Sequence, residues 1–337
     1  MKSRLLSMSE YGVGIAGVSH KLGSKIQSNE ELCLNLPDTT PEWIISKTGI
    51  KRRYHVTENE SASSLATDVC RELITKTGIS ISEIGLIIVA SFSQDYLFPP
   101  LSAKIHNAFG IPKQCQVIDI NTNCTGLVTA LTTASERMLF DDSIKYSIVI
   151  GVEVLSRFTN PDDPDTAIFF SDGASAVLLS RVDAGSGYIA SKFLTDSSTY
   201  ESVRMRGGGS SFPVAQSNPV GSLFIEQNGL ATWKQAVTNL PVVINLLLTK
   251  TGLKVGDVDF VIFHQANHFL INYIMQKMKI PVEKTYMNVE EYGNTGSASI
   301  GIALSEAYAK GMIKKGDKVV IAGVGAGFNF GACLFKF

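Results

Sequence analysis

Largely apolar runs of four to seven residues recur along the chain and predict buried strands. The predicted strands are Ile84–Ala90, Ile148–Gly151, Val258–His264 and Val320–Gly323. Strands without apolar–polar alternation are typical of sheets that helices cover on both faces. Two long segments rich in small and apolar residues, Leu127–Leu139 and Ser297–Met312, predict buried helices. The pattern therefore predicts an α/β protein.

Two parts of the chain repeat each other in the same order. Thr75–Gly78 recurs as Thr249–Gly252, and 14 ungapped positions from there contain five identical and six similar residues. Both copies predict a helix end, a glycine C-cap, a short loop and a strand. Further along, Cys124-Thr-Gly corresponds to Asn294-Thr-Gly, and an apolar strand follows in each half. Three correspondences in order predict a duplicated α/β unit.

The duplication predicts which residues meet. We divide the chain into an N-terminal half, residues 1–184, and a C-terminal half, residues 185–337. Cys124 and Asn294 are equivalent in the repeat, and each comes just before a predicted helix. If a pseudo-two-fold axis relates the halves, these two residues meet at two opposed helix N-termini.

Composition and charge exclude several classes of protein. The 337 residues suffice for about two structural units, and 45% hydrophobic with 18% charged residues indicates a large core. Thirty basic residues against 31 acidic ones argue against a nucleic-acid partner. No run of 18 apolar residues occurs, so we expect no membrane insertion. Met1–His20 does not resemble a signal peptide, and we expect a cytoplasmic protein.

Cysteine chemistry points to one residue. The chain has five cysteines and no C-x-x-C pair, which argues against a disulfide framework or structural zinc and suits a reducing cytoplasm. Cys124 follows a predicted strand and a turn and comes just before a helix. The positive end of a helix stabilises thiolate, so we expect a lowered pKa and a nucleophilic role. The alternative is a buried structural cysteine.

Two further side chains offer complementary chemistry. His264 directly follows the apolar residues Val261–Phe263, where a histidine is either a core residue or part of a site. Its spacing of four from His268 is compatible with a metal on a helix, but the glutamate of H-E-x-x-H is missing, and we expect no metal. Asn294 is either an N-cap or an amide donor that stabilises a developing oxyanion.

The glycine-rich segment Gly323–Gly327 allows two interpretations. It follows a strand, as a dinucleotide-binding loop does, but the ten residues after it are too few for the helix and the ribose-binding acid. We therefore favour an oxyanion hole, because small residues let a backbone N–H approach a reacting atom.

At these residues the chain resembles the β-ketoacyl-acyl carrier protein synthase III family of the thiolase superfamily. The motifs that carry the resemblance are Glu42–Ile50, Asp172–Ala176, His264–Asn267, Gly293–Ser297 and Gly323–Gly331. The resemblance covers nearly the whole chain. It implies a thiolase fold with five αβαβα layers, a homodimer, a Cys-His-Asn active site at Cys124, His264 and Asn294, and an oxyanion hole formed by the N–H groups of Cys124 and Ala326.

The resemblance also implies substrate contacts. Trp43 corresponds to the tryptophan that stacks on the adenine of coenzyme A, and Lys47 stands where the family has a phosphate-contacting arginine. Phe98 corresponds to the residue that reaches the partner's acyl pocket across the dimer. Lys234 and Lys277 correspond to lysines that dock the acyl carrier protein. Asn267 is expected to orient His264 or to contact pantetheine.

The chain departs from the family pattern at several positions. Pro164 occupies the place of the arginine that stacks on the other face of adenine, and Phe269 that of the main carrier-docking arginine. The family usually has alanines just before the cysteine, and this chain has Thr122 and Asn123 there. The chain thus resembles a divergent member of the family. Members that are specialised for secondary metabolites depart from the family pattern in comparable ways.

We expect an acyltransferase that loads an acyl group from acyl-CoA or an acyl carrier protein onto Cys124. It then condenses this group with a malonyl-type or 3-ketoacyl thioester, in fatty-acid or secondary-metabolite biosynthesis. No metal or redox cofactor is required. One alternative is a cysteine acyltransferase or thioesterase with a non-carbon acceptor. Another is a catalytically inactive subunit that pairs with an active one.

Overall fold

The computed structural model describes residues 10–214 and 220–337, so Met1–Ser9 of the N-terminal segment discussed above lie outside it. The strands are β1 Tyr11–Leu22, β2 Lys25–Ser28, β3 Arg52–His55, β4 Ile84–Ala90, β5 Gln116–Ile120, β6 Tyr146–Val154, β7 Asp172–Asp183, β8 Gly187–Thr195, β9 Val203–Met205, β10 Ile225–Gln227, β11 Phe260–Phe263, β12 Lys318–Gly325 and β13 Asn329–Lys336. The helices are α1 Asn29–Cys33, α2 Pro41–Thr48, α3 Ala62–Thr77, α4 Leu101–Phe109, α5 Gly126–Phe140, α6 Pro164–Ala167, α7 Gly229–Thr251, α8 His268–Met278, α9 Val289–Tyr292 and α10 Ser299–Ala309.

Two large sheets share one topology. The first has the order β1-β7-β6-β4-β5, and the second has the order β8-β13-β12-β11. In the first sheet β4 pairs parallel with β6, while β6–β7 and β7–β1 are antiparallel. In the second, β11 pairs parallel with β12, while β12–β13 and β13–β8 are antiparallel. The duplicated α/β unit predicted from the sequence repeat is confirmed, with β5 as an additional edge strand of the first sheet.

Alternate side chains of each strand face different helices. In β4, Leu86 and Ile88 pack with α5 and α10, whereas Ile87 and Val89 pack with α3 and α4. In the second sheet, Ile262 packs toward the central helices α5 and α10, and its neighbouring strand positions pack against α7 and α8. Five layers follow, in the order α3/α4, first sheet, α5/α10, second sheet, α7/α8. The prediction of a five-layered αβαβα arrangement is confirmed.

The helix ends of the repeat follow the predicted chemistry. Gly78 ends α3 and Gly252 ends α7, both in the left-handed conformation with φ of 69° and 70°. Glycine adopts this conformation without a Cβ penalty. Two elements are shorter than predicted. The strand predicted at Val258–His264 is β11, Phe260–Phe263, and the helix predicted at Ser297–Met312 is α10, Ser299–Ala309.

None of the helices in the described ranges combines the length and the apolar character needed to cross a bilayer.

Candidate active site

A cavity of about 350 Å³ lies where the ends of the two sheets meet. Cys124, His264 and Asn294 all line it, together with Asn267 and Ala326. The remaining walls are mostly apolar, and include Phe92, Phe158, Phe170, Ile225 and Trp233. The structure therefore brings a thiol from the first half together with an imidazole and an amide from the second.

A sharp turn presents Cys124 to the cavity. β5 ends at Ile120, a 3-10 turn spans Asn123–Thr125, and α5 begins at Gly126. Asn123 has φ of 49°, a left-handed conformation that asparagine tolerates better than most residues. Its side chain donates a hydrogen bond to the carbonyl of Ala326 at 3.2 Å. This contact ties the cysteine turn to the turn between β12 and β13.

The expected lowering of the pKa of Cys124 is wrong. Burial, as the main cause, and the nearby carboxyl of Glu153, when it is ionised, together raise the pKa of this thiol to about 12, although the hydrogen bond from its own backbone N–H acts in the opposite direction. A thiolate loses water on burial, and this desolvation outweighs the local field of the helix end. Cys124 therefore rests as a neutral thiol at neutral pH.

His264 directly follows β11 and lines the cavity. Its backbone N–H donates to the carbonyl of Ala322 at 2.9 Å, and its side chain is 5% exposed. Burial lowers the pKa of the imidazole to about 4, so His264 is neutral at pH 7. Its Nδ1 lies 2.7 Å from the hydroxyl of Ser299. Nε2 is the ring nitrogen left for a substrate.

The N-cap interpretation of Asn294 is wrong, because Thr295 and Ala298 hold the cap positions of the 3-10 turn Gly296–Ala298 and of α10, and the amide-donor interpretation stays a prediction for Asn294. Its Oδ1 accepts the N–H of Gly296 at 2.9 Å, so the carbonyl end supports the turn before α10. The amide nitrogen is then the group available to the cavity, where it is a donor. The backbone of Asn294 is held by the first half, because its N–H donates to Phe169 and its carbonyl accepts from Ser171, at 2.8 and 2.9 Å.

Close approach of two backbones positions Ala326. A Cβ on Gly325 would lie 2.5 Å from Thr125 Oγ1 and 2.6 Å from the carbonyl of Thr122. Only glycine permits this distance, and it places the N–H of Ala326 beside the cysteine turn. The glycine-rich segment thus allows the turn between β12 and β13 to pack closely against the cysteine turn. A strand follows it instead of a helix, since β13 begins at Asn329.

The proposed coenzyme contacts Trp43 and Lys47 lie on one surface helix, α2. Trp43 is 36% exposed on α2, and Lys47 Nζ is 5.9 Å from its ring centroid. Neither residue lines the cavity in the described part of the chain. Asn267 connects the two regions, because its Nδ2 donates to the carbonyl of Lys47 at 3.1 Å and its Oδ1 caps α8 at Phe269 N. Asn267 makes no hydrogen bond with His264 among the described residues, so positioning of that imidazole belongs to Ser299.

The proposed carrier-docking residues surround a shallow groove beside the cavity. Phe269 lines it with Trp233, Tyr273 and Val282, and Trp233 also lines the cavity. Lys234 and Lys277 are exposed nearby, although Lys277 donates to the carbonyl of Val237 at 2.7 Å.

Phe98 lies away from this cavity. It is 84% exposed on the loop between β4 and α4, and Tyr96 and Leu97 are exposed beside it.

Two residues near the cavity were missed by the sequence reasoning. Ser299 contacts His264, and Glu153 is fully buried at the end of β6, where it accepts a hydrogen bond from Ser93 at 2.5 Å. Glu153 had a detectable signal, because it is a lone acidic residue in an apolar strand. In the described residues, no group of three or more His, Cys, Asp or Glu side chains is arranged to hold a metal ion.

Comparison with known proteins identifies relatives of this site. Two family models match, 3-oxoacyl-[acyl-carrier-protein] synthase III at residues 118–197 and the C-terminal part of the same family at residues 248–337. The β-ketoacyl-[acyl-carrier-protein] synthase III of Rhizorhabdus wittichii is 35% identical over 324 residues, which cover 96% of this chain and 98% of the relative. That of Fusobacterium nucleatum is 33% identical over 325 residues, with coverage of 96% and 98%.

A solved structure shows the same relationship. The crystal structure of 3-oxoacyl-[acyl-carrier-protein] synthase III from Aquifex aeolicus superposes with a TM-score of 0.87 at 32% identity, covering 97% of this chain and 100% of that one. Fold and relatives together define an acyl-transferring condensing enzyme with the thiolase fold. The chain belongs to the 3-oxoacyl-[acyl-carrier-protein] synthase III family.

Proposed function

We propose that Cys124 carries an acyl group, which the enzyme condenses with a malonyl-type or 3-ketoacyl thioester. One observation carries the proposal: a single, largely apolar cavity is lined by a thiol, a neutral imidazole and an amide. A thiol supports covalent acyl transfer, and two neutral donors suit a substrate oxygen that becomes negative.

The first half-reaction is thioester exchange. The sulfur of Cys124 attacks the thioester carbon of acyl-CoA or of an acyl carrier protein, and the donor's carbon–sulfur bond then breaks. The thiol proton is released and the departing thiolate takes up a proton, so charge balances. The N–H groups of Cys124 and Ala326 hold the oxyanion, and the approach of the two turns through Gly325 and Asn123 supports this role.

The second half-reaction makes the carbon–carbon bond. A malonyl thioester loses carbon dioxide, and the electron pair of the broken bond forms an enolate. The enolate oxygen is held by His264 and by the amide of Asn294. Its carbon attacks the acyl-cysteine, which releases the 3-oxoacyl product and regenerates the thiol after protonation. A 3-ketoacyl thioester has no carboxylate to lose, so its enolate forms when the proton on C2 is transferred to water, and the later steps are the same.

The donor's distal part is assigned to the surface beside the cavity. Trp43 and Lys47 bind the adenine and phosphates of coenzyme A, and Asn267 positions the loop beneath the pantetheine arm. An acyl carrier protein docks on the face that includes Phe269, Lys234 and Lys277. The names of the relatives, which specify the acyl carrier protein, support this assignment.

We further propose a cytoplasmic homodimer in which Phe98 reaches the partner's cavity. The support is the exposed apolar loop at Tyr96–Phe98 together with β5, which is an edge strand of the first sheet. The five free thiols suit a reducing compartment. Sedimentation of the wild-type protein and of Phe98→Ser tests the dimer and the role of the loop in it.

Two measurements on the same sample test the reaction. Intact-mass spectrometry after incubation with a panel of acyl-CoAs and acyl carrier proteins should detect one acyl adduct, which Cys124→Ala abolishes. Cys115→Ser is the matched control and should keep the adduct. Labelled malonyl thioester should then give a product with a new carbon–carbon bond.

Each alternative has its own result. An adduct that is discharged only to water, amines or hydroxyls would replace condensation with acyl transfer or hydrolysis. No adduct from any thioester would favour an inactive partner subunit.

A further inference from the structure

His264 is held through one ring nitrogen by one hydroxyl. Ser299 Oγ lies 2.7 Å from Nδ1 of His264, and it also accepts the backbone N–H of Gln265 at 3.1 Å. Ser299 is the first residue of α10 and is 1% exposed. The hydroxyl is therefore shielded from bulk water.

The hydrogen bonds that the Ser299 hydroxyl donates and accepts determine the tautomer of the His264 imidazole. A serine hydroxyl has one proton and two lone pairs. The N–H of Gln265 occupies one lone pair. The only acceptor that the described residues offer to the Ser299 proton is Nδ1 of His264. A buried hydroxyl proton without an acceptor is unfavourable because it loses its hydrogen bond to water. Ser299 therefore donates to Nδ1, and the imidazole proton is on Nε2.

We propose that Ser299 is a positioning residue that keeps His264 as the Nε2–H tautomer, so that His264 acts as a hydrogen-bond donor to substrate oxygen and does not serve as the base for Cys124. The inference rests on the proposed function for its catalytic meaning. A proton on Nδ1 would face the hydroxyl and displace the Ser299 proton from its acceptor. The same contact therefore disfavours both the other neutral tautomer and the imidazolium, in agreement with the lowered pKa of His264.

This assignment separates the two half-reactions. Thioester exchange on Cys124 proceeds without proton transfer to His264, because Nε2 already has its proton. Decarboxylation, by contrast, requires a donor at the enolate oxygen, which is what Nε2–H supplies. Loss of the Ser299 hydroxyl should therefore affect carbon dioxide release and leave acylation close to the wild-type rate.

Helix α10 offers a matched control. Ser305 Oγ lies 3.0 Å from Nδ1 of His20, and Ser305 is 5% exposed. Ser305→Ala thus also removes a partly buried serine–histidine hydrogen bond from the same helix, but its histidine is not among the residues that line the cavity. Ser299→Thr retains a hydroxyl at the site and tests rescue.

The first experiment reads the tautomer without substrate. Protein labelled with ¹⁵N-histidine has five histidines, and the His264 signals are assigned from the spectrum of His264→Ala. At neutral pH the wild type and Ser299→Thr should show Nδ1 unprotonated and Nε2 protonated. Ser299→Ala should show a mixture of tautomers or a His264 that titrates at higher pH. Ser305→Ala should leave the His264 signals unchanged.

The second experiment measures both half-reactions. Ser299→Ala should lower release of labelled carbon dioxide from a malonyl thioester by about 10–100-fold, as loss of an orienting partner does at other histidines. Ser299→Thr should restore most of it, and Ser305→Ala should match the wild type. A wild-type spectrum with the proton on Nδ1 would overturn the proposal, as would an unchanged tautomer in Ser299→Ala or equal losses in both half-reactions. If no thioester acylates Cys124, the proposed function fails while the tautomer result still stands.

Discussion

The hydroxyl of Ser297 lies 2.6 Å from Oε1 of Glu153 and 2.9 Å from the carbonyl of Ala90. One hydroxyl proton cannot serve two acceptors at full strength. If Glu153 is protonated, its O–H donates to Ser297 and Ser297 donates to Ala90. Burial raises the pKa of Glu153 to about 8, which agrees with this arrangement. A neutral Glu153 therefore links β6, the end of β4 and the turn before α10.

Glu153→Gln is expected to preserve this chain of hydrogen bonds, because the amide also supplies a donor and an acceptor. In the wild type the folded pKa is raised from 4.5 to about 8. The folded state therefore binds more protons than the unfolded state in this window, and the free energy of unfolding falls as pH rises through it. The loss is at most about 5 kcal/mol. The glutamine variant lacks this loss and should be the more stable protein above the window.

Urea unfolding of both proteins between about pH 5 and pH 9 measures the difference. The surface variant Glu58→Gln removes one carboxylate in an exposed position and should follow the wild type. If the free energy of unfolding depends on pH in the same way for the wild type and for Glu153→Gln, then Glu153 is ionised over the whole pH range measured.

Local sequence predicted the parts of the site that depend on local structure. The repeat indicated β4, β11 and the opposed helix starts, because each is set by a short pattern with a glycine cap or turn. It could not indicate the partners of buried polar groups. Ser299 meets His264 across 35 positions, and Ser297 meets Glu153 across 144. The first of these contacts forms within the C-terminal half and the second forms between the halves, and both follow from tertiary packing that no short pattern encodes.

The pKa of Cys124 illustrates the same limit. The helix start was visible in the sequence and favours thiolate. The burial of the thiol and the nearness of Glu153 were not visible, and they dominate. A prediction from the helix end alone therefore had the wrong sign.

Acylation of Cys124 should accelerate with pH well above neutrality. The pKa raised to about 12 leaves only a trace of thiolate at pH 7, and thiolate is the nucleophile. The acylation rate should then rise about tenfold per pH unit from about pH 6 to pH 9. Quenched-flow mass spectrometry of the adduct measures the rate, with Cys124→Ala as the blank. A plateau near neutral pH would show that the helix end prevails over burial.

His264 and Asn294 should matter most for the enolate. His264→Ala or Asn294→Ala should slow condensation by on the order of 100-fold or more, as loss of one oxyanion donor does elsewhere. Acylation should survive at least in part, because the N–H groups of Cys124 and Ala326 remain. Separate single-turnover assays of acylation and of carbon dioxide release measure the two steps. The division of roles fails if both variants lose both steps equally.

Two positions, Pro164 and Phe269, bear on the choice between coenzyme A and a carrier protein as acyl donor. Trp43 is on α2 and Pro164 begins α6, and one buried apolar cluster contains Ile44 of α2 and Ala167 of α6. Proline has no guanidinium to stack on adenine, and such a contact is worth roughly 0.5–2 kcal/mol. Its absence weakens coenzyme A binding by about 2-fold to 30-fold. Phe269 likewise removes a positive charge from the docking face, but it adds exposed apolar surface beside the cavity mouth, 42% exposed.

An apolar contact at Phe269 would select one cognate carrier and reject generic ones, because specificity depends on the difference between two affinities. Cys124 should therefore be acylated faster by its cognate acyl carrier protein than by the matched acyl-CoA. Phe269→Arg should shift the preference toward a generic carrier, and Pro164→Arg should improve the use of acyl-CoA. Val282→Arg, which adds the same charge elsewhere in the groove, and Pro161→Arg are the controls. Acylation rates with one acyl group on each donor decide the matter: if acyl-CoA is clearly the better donor and neither substitution changes the ratio, then the donor preference is not set at Pro164 and Phe269.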